Sequence, residues 1–288
     1  MNDPIALGVD VGGTSVKAVL VDVDGRVLDE RRLPAPSPDP SGEGVVEVVA
    51  ELVTALGHDA HISVGVVVPG IVDETRGLAI YSANLGWRDL SLAHMLTERL
   101  QRPISFGHDV RAGARAEAHW GAAAGMSGAI AFVPIGTGLA AALLVNDTPV
   151  VAGGWAGEIG QVTIATGTHT GARVEDLASA AGIARRAGVA DARTVAELVD
   201  AGDAAMINIW NDAIDVLADA LAGMSAAVGL EAIILGGGVA LAGDTLTRPL
   251  ERALHERLGP LRHPQLRTAT LGDRASALGA TILTQATR

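Results

Sequence analysis

The beginning of the chain alternates between apolar runs and tight turns. An apolar run at residues 5–9 ends at Asp10, and a second run at 16–23 follows Gly12, Gly13 and Thr14. β-Branched residues are frequent in both runs, which predicts a strand, a tight turn and a second strand. Residues 26–33 continue the pattern as a third strand.

The rest of the chain mixes helical and strand patterns, which predicts an α/β fold. Apolar residues at helical spacing predict helices at 45–56, 90–100, 110–120, 174–186, 195–199, 204–228 and 275–285. β-Branched runs predict strands at 62–68, 104–106, 130–134, 139–145 and 232–235. A Gly-Thr-Gly turn at 136–138 lies between two predicted strands, as the first glycine turn does. This weak internal duplication is consistent with two similar α/β domains.

Composition and charge narrow the classes of function. Of the 288 residues 49% are hydrophobic and only 2% aromatic, so the core is expected to consist mostly of Ala, Val, Leu and Ile. The net charge of −12, without a basic run, argues against nucleic-acid binding. The absence of cysteine excludes disulfides, thiol nucleophiles and thiolate metal sites. No signal peptide or membrane-spanning run is evident, so a cytoplasmic protein without membrane contact is expected.

The first glycine turn carries candidate chemistry. Its backbone N–H groups and the Thr14 hydroxyl could hold phosphate oxygens, because glycines let a backbone approach a ligand closely. Asp10 would offer a hard oxygen to magnesium on a nucleotide triphosphate. The chain has no GxxxxGK[ST] loop, so the pattern suggests phosphoryl transfer without a Walker motif. The alternative is an ordinary β-hairpin with a glycine turn.

Three glycine turns stand in a fixed order along the chain: DVGGT at 10–14, GTG at 136–138 and LGGG at 235–238. Around and between them lie VVVPGIVDE (66–74), SANLGW (82–87), HDVRAGARAE (108–117), GGWAGEIGQ (153–161) and EDLAS (175–179). This ordered set resembles the ROK family of bacterial sugar kinases and related repressors. The resemblance implies two RNase-H-like (actin-like ATPase) α/β domains with a cleft between them. The domains are expected at 1–108, joined by a C-terminal helix at 275–288, and at 109–274.

The resemblance also implies a function. It implies phosphorylation of a hexose at its terminal hydroxyl with ATP and Mg²⁺, glucose being the simplest substrate, and it implies a homodimer. The repressor branch carries a DNA-binding domain before the first phosphate loop, whereas six residues precede Leu7 here, which favours the kinase branch. Two alternatives remain open: a kinase for an N-acetylated amino sugar, and a non-catalytic sugar-binding or regulatory relative.

The family's sugar-site residues map onto this chain. Asp109 matches the general base, although an Asp before a helix is also a typical cap. A sugar hydroxyl would find hydrogen-bonding side chains or a lining backbone at Gly70, Asn84, Glu158 and Glu175. Two sugar-site positions differ from the usual residues: His108 replaces asparagine before the base, and Gln161 replaces histidine.

The nucleotide-site residues follow from the three glycine turns. The phosphates would be held by Gly12, Gly13 and Thr14 on one side and by Gly136, Thr137 and Gly138 on the other, with Gly237 and Gly238 near the adenosine. Asp10 would contact magnesium through water. Lys17 could reach a phosphate, the alternative being an exposed strand lysine.

Two departures from the family pattern put activity, donor or sugar specificity in question. Most of the family binds a structural zinc through one His and three Cys, and the corresponding positions here are Gln161, Thr166, Thr168 and Arg173. None of the four is a zinc ligand, so no zinc site is expected. The second phosphate loop has Ala140 and Ala142 where glycine is common, and the methyl group of Ala140 would crowd the phosphate or tighten strand packing.

Overall fold

A computed structural model describes residues 5–57 and 62–285. The chain divides into two compact units. The first contains the residues up to 120, together with 151–156 and those from 273 onward, and the second contains 121–150 and 157–272. The expected boundary lies after residue 108, whereas the helix at Asp109–Trp120 belongs to the first unit, so the observed boundary lies after residue 120.

The first unit has a main sheet and a small sheet. Its strands are β1 (Ala6–Val11), β2 (Ser15–Val21), β3 (Val27–Pro34), β4 (Ser63–Val68), β5 (Ile71–Asp73), β6 (Leu78–Ser82), β7 (Trp87–Leu90) and β8 (Ile104–His108). The main sheet has the order β3-β2-β1-β4-β8, and the small sheet has the order β5-β6-β7. β1 pairs antiparallel with β2 and parallel with β4. The valines of β4 are buried on both faces, as expected for a central parallel strand.

The helices of the first unit cover this sheet. They are α1 (Glu43–Leu56), α2 (Leu92–Leu100) and α3 (Asp109–Trp120), with a 3₁₀ turn at Ala152–Gly154. α1 buries Val45, Val49 and Leu52, which lie on one face at helical spacing.

The second unit repeats the strand order of the first. Its strands are β9 (Ala129–Pro134), β10 (Ala142–Val145), β11 (Thr148–Pro149), β12 (Ala232–Gly236) and β13 (Gln265–Thr268). They form one sheet in the order β11-β10-β9-β12-β13. β9 pairs antiparallel with β10 and parallel with β12, as β1 does with β2 and β4. The two sheets therefore share one topology, which supports the internal duplication.

Helices surround this second sheet. They are α4 (Val174–Ala178), α5 (Ala180–Ala187), α6 (Ala192–Asp200), α7 (Ala204–Val228), α8 (Gly237–Ala240) and α9 (Asp244–Leu258), with a 3₁₀ turn at Ile159–Gln161. The core contains mainly aliphatic side chains from β9, β12, α7 and α9.

The final helix, α10 (Ala275–Leu283), follows a 3₁₀ turn at Gly272–Arg274 and packs in the first unit. Two glycines make this packing possible. A Cβ on Gly279 would lie 1.9 Å from the Ala112 carbonyl of α3, and a Cβ on Gly8 would lie 1.9 Å from the Ala277 carbonyl. Only glycine therefore allows α10 to contact both β1 and α3 so closely.

Several predicted elements differ from the observed ones. The strand predicted at 139–145 begins at Ala142, and the helix predicted at 195–199 extends over Ala192–Asp200. The helix predicted at 174–186 is broken at Ser179, whose Oγ accepts a hydrogen bond from the Gly182 N–H at 3.0 Å and begins α5. Leu90 ends strand β7 and is not part of α2. The elements β5, β6, β7, α8, α9 and β13 were not predicted.

No helix within the described ranges has the length and apolar character needed to cross a membrane.

Candidate active site

The first glycine turn connects β1 to β2. The Gly12 N–H donates to the Ser15 carbonyl at 2.9 Å and closes the turn. Gly13 lies beside Asn84, because a Cβ on this glycine would be 3.3 Å from the Asn84 Cβ. The structure therefore brings a predicted phosphate-binding residue next to a predicted sugar-binding residue.

Asp10 is a half-buried carboxylate near the end of β1, opposite Lys17 in β2. Burial raises the pKa of Asp10 to about 6, an effect that the nearby Lys17 ammonium opposes. A carboxyl group of this kind gains from a cation placed beside it, which fits the predicted magnesium contact.

Lys17 is not exposed, so the alternative of a solvated strand lysine is wrong. Its side chain is 9% exposed, and its Nζ lies 2.6 Å from Asp273 Oδ2. Arg32 also pairs with Asp273, and the two cations hold the pKa of that carboxyl below its usual range. Asp273 lies in the 3₁₀ turn before α10, and the strand pattern alone gives no sign of this partner.

Asp109 is the first residue of α3, directly after β8. Its Oδ1 accepts a hydrogen bond from the Val110 N–H at 2.7 Å and lies 3.3 Å from His108 Nε2. The side chain is about one-fifth exposed. The carboxylate therefore serves the helix N-terminus and remains accessible, so capping and base catalysis are compatible.

His108 is buried beside Asp109. Its Nδ1 accepts a hydrogen bond from the Arg111 N–H at 3.3 Å, which assigns the ring proton to Nε2, the atom facing Asp109. The ring also hydrogen bonds to the Gly70 backbone. Burial, reinforced by the positive charge of Arg111, lowers the pKa of His108 to about 3, so the imidazole is neutral at physiological pH.

An ion pair between the buried Arg111 and the half-buried Glu74 supports these residues. Glu74 Oε1 accepts hydrogen bonds from the backbone N–H of His108 at 3.1 Å and from Arg111 Nε at 2.8 Å. Arg111 Nη2 donates to the Val72 carbonyl at 3.3 Å. Sequence reasoning missed the roles of Glu74 and Arg111, although both lie inside the motifs that carried the resemblance. The sequence feature that could have revealed them is a charged residue within each of two segments that contain buried residues.

Gly70 has its own structural requirement. Its φ is +101°, and a Cβ there would lie 2.1 Å from the Tyr81 carbonyl. The glycine therefore lets the chain after β4 pass close to β6 and present its backbone to the His108 ring.

The Gly-Thr-Gly turn of the second unit follows β9. The Gly136 N–H donates to the Gly138 carbonyl at 3.1 Å, and the Gly136 carbonyl accepts from the Ala180 N–H at 2.8 Å. Among the residues described, a Cβ on Gly136 would meet nothing within 4 Å. Packing within the described residues therefore does not demand glycine at this position.

The third glycine turn lies at the end of β12. Gly237 has φ +75°, and a Cβ there would lie 2.5 Å from the Ile135 carbonyl. At Gly238 a Cβ would have open space in the described part of the chain. Gly237 is therefore required by the fold, whereas Gly238 is not.

The predicted acidic sugar ligand Glu175 lies against two neighbouring turns. A Cβ on Gly138 would be 3.4 Å from Glu175 Oε2, and a Cβ on Gly160 would be 3.2 Å from the Glu175 Cβ. Glu158 and Gln161 flank Gly160 at either end of the 3₁₀ turn. The structure thus brings Gly138, Glu158, Gln161 and Glu175 into one region of the second unit.

Arg173 joins this region. Its Nη1 lies 3.0 Å from Gln161 Oε1 and 3.1 Å from Glu175 Oε1, and its Nη2 lies 3.2 Å from Asp176 Oδ1. Sequence reasoning treated Arg173 only as the position of a missing zinc ligand.

The positions expected to bind zinc in the family do not fit a metal here. Gln161, Thr166, Thr168 and Arg173 are exposed, and a guanidinium is a cation that does not ligate zinc. Across residues 5–57 and 62–285 no group of three or more His, Cys, Asp or Glu side chains is arranged to hold a metal ion. The absence of zinc stays a prediction.

The two alanines of the second phosphate loop have different surroundings. Ala142 is buried in β10 opposite Phe132, where its methyl group contributes to strand packing. Ala140 is half-buried before β10 begins.

Comparison with known proteins gives three findings of direct relevance. A model of the ROK family matches residues 6–287. The glucokinase of Halalkalibacterium halodurans is 30% identical, with 97% of this chain and 94% of that protein aligned. The N-acetylmannosamine kinase of Escherichia fergusonii is also 30% identical, with 97% and 98% aligned.

A solved structure of a family member resembles this chain in fold. The ROK family glucokinase from Streptomyces griseus, in complex with glucose and AMPPNP, superposes with a TM-score of 0.85. It covers 98% of this chain and 99% of its own at 24% identity. This likeness confirms the predicted fold class.

Proposed function

Because this chain belongs to the ROK family, and the relatives that align with it over nearly their full length are sugar kinases, we propose that it is an ATP-dependent hexokinase. It transfers a phosphoryl group to the terminal hydroxyl of a hexose, with glucose as the first candidate.

The observation that carries this proposal is the arrangement at the start of α3. Asp109 remains accessible while the buried, neutral His108 places Nε2 3.3 Å from its carboxylate. A carboxylate so positioned can accept the proton of a sugar hydroxyl as the phosphoryl group arrives. His108 fixes the direction of the carboxylate without adding a positive charge, because its imidazole stays unprotonated.

The proposed nucleotide site uses the glycine turns. Gly12, Gly13 and Thr14 hold phosphate oxygens on the first unit, and Gly136, Thr137 and Gly138 do so on the second. Open space on the Cβ side of Gly136 and Gly238 supports close approach of ATP, with the adenosine near Gly237 and Gly238. Asp10 contacts the magnesium ion of the nucleotide through water, and the buried Lys17 keeps positive charge near the same turn.

The proposed sugar ligands are Gly70, Asn84, His108 and Asp109 from the first unit and Glu158, Gln161 and Glu175 from the second. Amide and carboxylate groups suit a sugar, since each hydroxyl can both donate and accept a hydrogen bond. The nearness of Asn84 to the space that a Cβ on Gly13 would fill supports a donor phosphate and a sugar bound side by side.

A kinase for an N-acetylated amino sugar is the second candidate. The N-acetylmannosamine kinase relative is as similar as the glucokinase relative, at 30% identity each. Gln161, which replaces the usual histidine, offers an amide that could bind an acetamido group. The two candidates differ in substrate and share the same base.

A coupled ADP-release assay with ATP and Mg²⁺ tests the proposal. The panel contains glucose, mannose, fructose, allose, N-acetylglucosamine and N-acetylmannosamine, and Asp109→Asn serves as the control. We expect turnover on one sugar of the panel. Asp109→Asn should lower kcat by about 10²-fold or more while the sugar Kd measured by calorimetry stays nearly unchanged, because only proton transfer is removed.

Two outcomes would contradict the proposal. Unchanged turnover in Asp109→Asn would exclude this residue as the base. No turnover on any sugar, with sugar binding retained, would indicate a non-catalytic sugar-binding protein.

A further inference from the structure

We propose that Arg173 is a positioning residue that orients Gln161 and Glu175 for sugar binding, in place of a metal-held loop. The inference rests on the proposed function, because it deepens the role of two proposed sugar ligands. A single guanidinium group contacts both of them, at 3.0 Å and 3.1 Å.

The contact with Arg173 determines which way the Gln161 amide points. A guanidinium can only donate hydrogen bonds, so the atom facing Nη1 must be the amide oxygen. Gln161 Oε1 is that atom, at 3.0 Å. The amide NH₂ group is therefore turned away from Arg173, and Gln161 presents a hydrogen-bond donor to a ligand.

The contact also divides the two oxygens of Glu175. Oε1 lies 3.1 Å from Arg173 Nη1, whereas Oε2 lies beside Gly138 of the phosphate turn, where a Cβ would come within 3.4 Å of it. Pairing Oε1 with Arg173 keeps Oε2 on the side of the turn, where it can accept a hydrogen bond. Arg173 thereby produces a donor on Gln161 and an acceptor on Glu175.

Arg173 is itself held firmly for a partly exposed residue. Its Nε and Nη2 face the two carboxylate oxygens of Asp176, at 3.4 Å and 3.2 Å, and its backbone N–H donates to Asp176 Oδ2 at 3.1 Å. A bridge with Thr163 and the bond from the Val174 N–H to the Val162 carbonyl, at 2.9 Å, close the loop just beside it. Fork-shaped pairing with a carboxylate limits the guanidinium to one orientation.

The location explains why an arginine suffices. Gln161 and Arg173 lie at two of the four positions where the family resemblance expects zinc ligands, and here they hydrogen bond directly to each other. A guanidinium carries a permanent positive charge and up to five directed donors. It can therefore cross-link the two ends of the loop at 162–172.

Steady-state kinetics on the sugar that the wild type phosphorylates test this role. We expect Arg173→Ala to raise the KM for sugar about tenfold, with kcat and the KM for ATP within about twofold, because the lost contacts orient sugar ligands only. Arg173→Lys should restore only part of the affinity, since a point charge cannot engage Gln161, Glu175 and Asp176 together.

Arg185→Ala is the matched control. Arg185 Nη2 also contacts Asp176 Oδ1, at 3.4 Å, but among the described residues it makes no contact with Gln161 or Glu175. This variant should keep the wild-type KM. In addition, Gln161→Leu combined with Arg173→Ala should raise the KM by less than the product of the two single effects, because both changes remove the donor that Gln161 presents.

Three results would overturn the proposal. They are an unchanged sugar KM in Arg173→Ala, an equal change in Arg185→Ala, and fully additive effects of the Arg173 and Gln161 changes.

A second readout separates this proposal from the proposed function. If the wild type phosphorylates no sugar, the kinase assignment fails, and hydrogen exchange of the ligand-free protein then tests Arg173. Arg173→Ala should speed exchange of the Ile164 and Val174 amides about tenfold or more, because both donate backbone bonds within this loop, whereas Arg185→Ala should not. Equal exchange in the two variants would overturn the positioning role.

Discussion

The two units share one strand order, yet they hold their proposed functional side chains by different means. In the first unit Lys17 and His108 are buried and Asp10 is half-buried, and loss of hydration is the main cause of the pKa shifts of Asp10 and His108. In the second unit Gln161 and Arg173 are exposed, and hydrogen bonding to Arg173 is the main cause of the lowered pKa of Asp176.

The difference shows that a repeated topology repeats the order of the strands but not the partners of the polar side chains. The common order places a glycine turn after the first strand of each sheet. The orientation of polar side chains near each turn depends on local partners instead. Buried partners act strongly, because a lost partner leaves an unpaired polar group in a medium of low dielectric constant. Each exposed ion pair contributes little stabilisation alone, so exposed side chains are held in place only when several such pairs form a network.

The largest expected effect comes from breaking the ion pair between the buried Arg111 and Glu74. Glu74→Ala should lower the free energy of unfolding by about 3 kcal/mol, because Arg111, only 3% exposed, loses its carboxylate partner. Urea unfolding followed by circular dichroism measures this change.

The matched control is Glu231→Ala in the second unit, which breaks the half-exposed pair with Arg262. It should cost under about 1 kcal/mol, the usual range for surface pairs. Equal losses in the two variants would refute the contrast between buried and exposed partners.

A smaller effect is expected in the pH dependence of stability. His108 has a pKa of about 3 in the folded protein and 6.5 when unfolded, so below pH 6.5 only the unfolded chain takes up its proton. Stability from His108 is therefore present above pH 6.5 and is lost as the pH falls. The contribution of Asp10 to stability changes with pH in the opposite direction. Its pKa is 3.8 in the unfolded chain and about 6 in the folded protein, so between these pH values the folded state holds the extra proton and stability falls as the pH rises.

Comparing His108→Gln with the wild type isolates the histidine, because Asp10 is common to both. Between pH 7 and pH 5 the wild type should lose about 2 kcal/mol more stability than His108→Gln. Urea unfolding at pH 5, 6 and 7 provides the measurement. His94→Gln, which removes an exposed histidine, should keep the wild-type slope. If His108→Gln follows the wild-type slope too, His108 is not a buried neutral imidazole.

The smallest effect concerns the glycine turns themselves. A Cβ on Gly13 would lie 3.3 Å from the Asn84 Cβ in the first unit, whereas the Cβ side of Gly136 is open within the described residues. Gly136→Ala should leave the free energy of unfolding within about 0.5 kcal/mol. It should raise the KM for ATP about tenfold, because the methyl group would occupy space proposed for phosphate.

Gly223→Ala, in the interior of α7 and likewise open in the described structure, is the control that should leave the KM unchanged. A wild-type KM for ATP in Gly136→Ala would mean that no phosphate approaches this glycine.

The strands around the glycine turns were predictable because their apolar runs are long and rich in β-branched residues. Helix α7 was predictable to the residue, since its periodic pattern begins after the capping Asp203 and ends before Gly229. The break between α4 and α5 was not predictable in this way, because apolar residues continue across Ser179 and only its hydroxyl marks a new helix start. The short strands β5 to β7 have too few residues to show an alternation.

Local patterns and ordered motifs are enough to predict the α/β class, the order of the three glycine turns and Asp109 as the candidate base. How the polar residues are paired depends on the tertiary fold. Lys17 with Asp273, Glu74 with Arg111, and Gln161 with Arg173 are separated along the chain by between 12 and 256 residues. Such pairs form when packing brings distant segments together, and no local pattern records the partner.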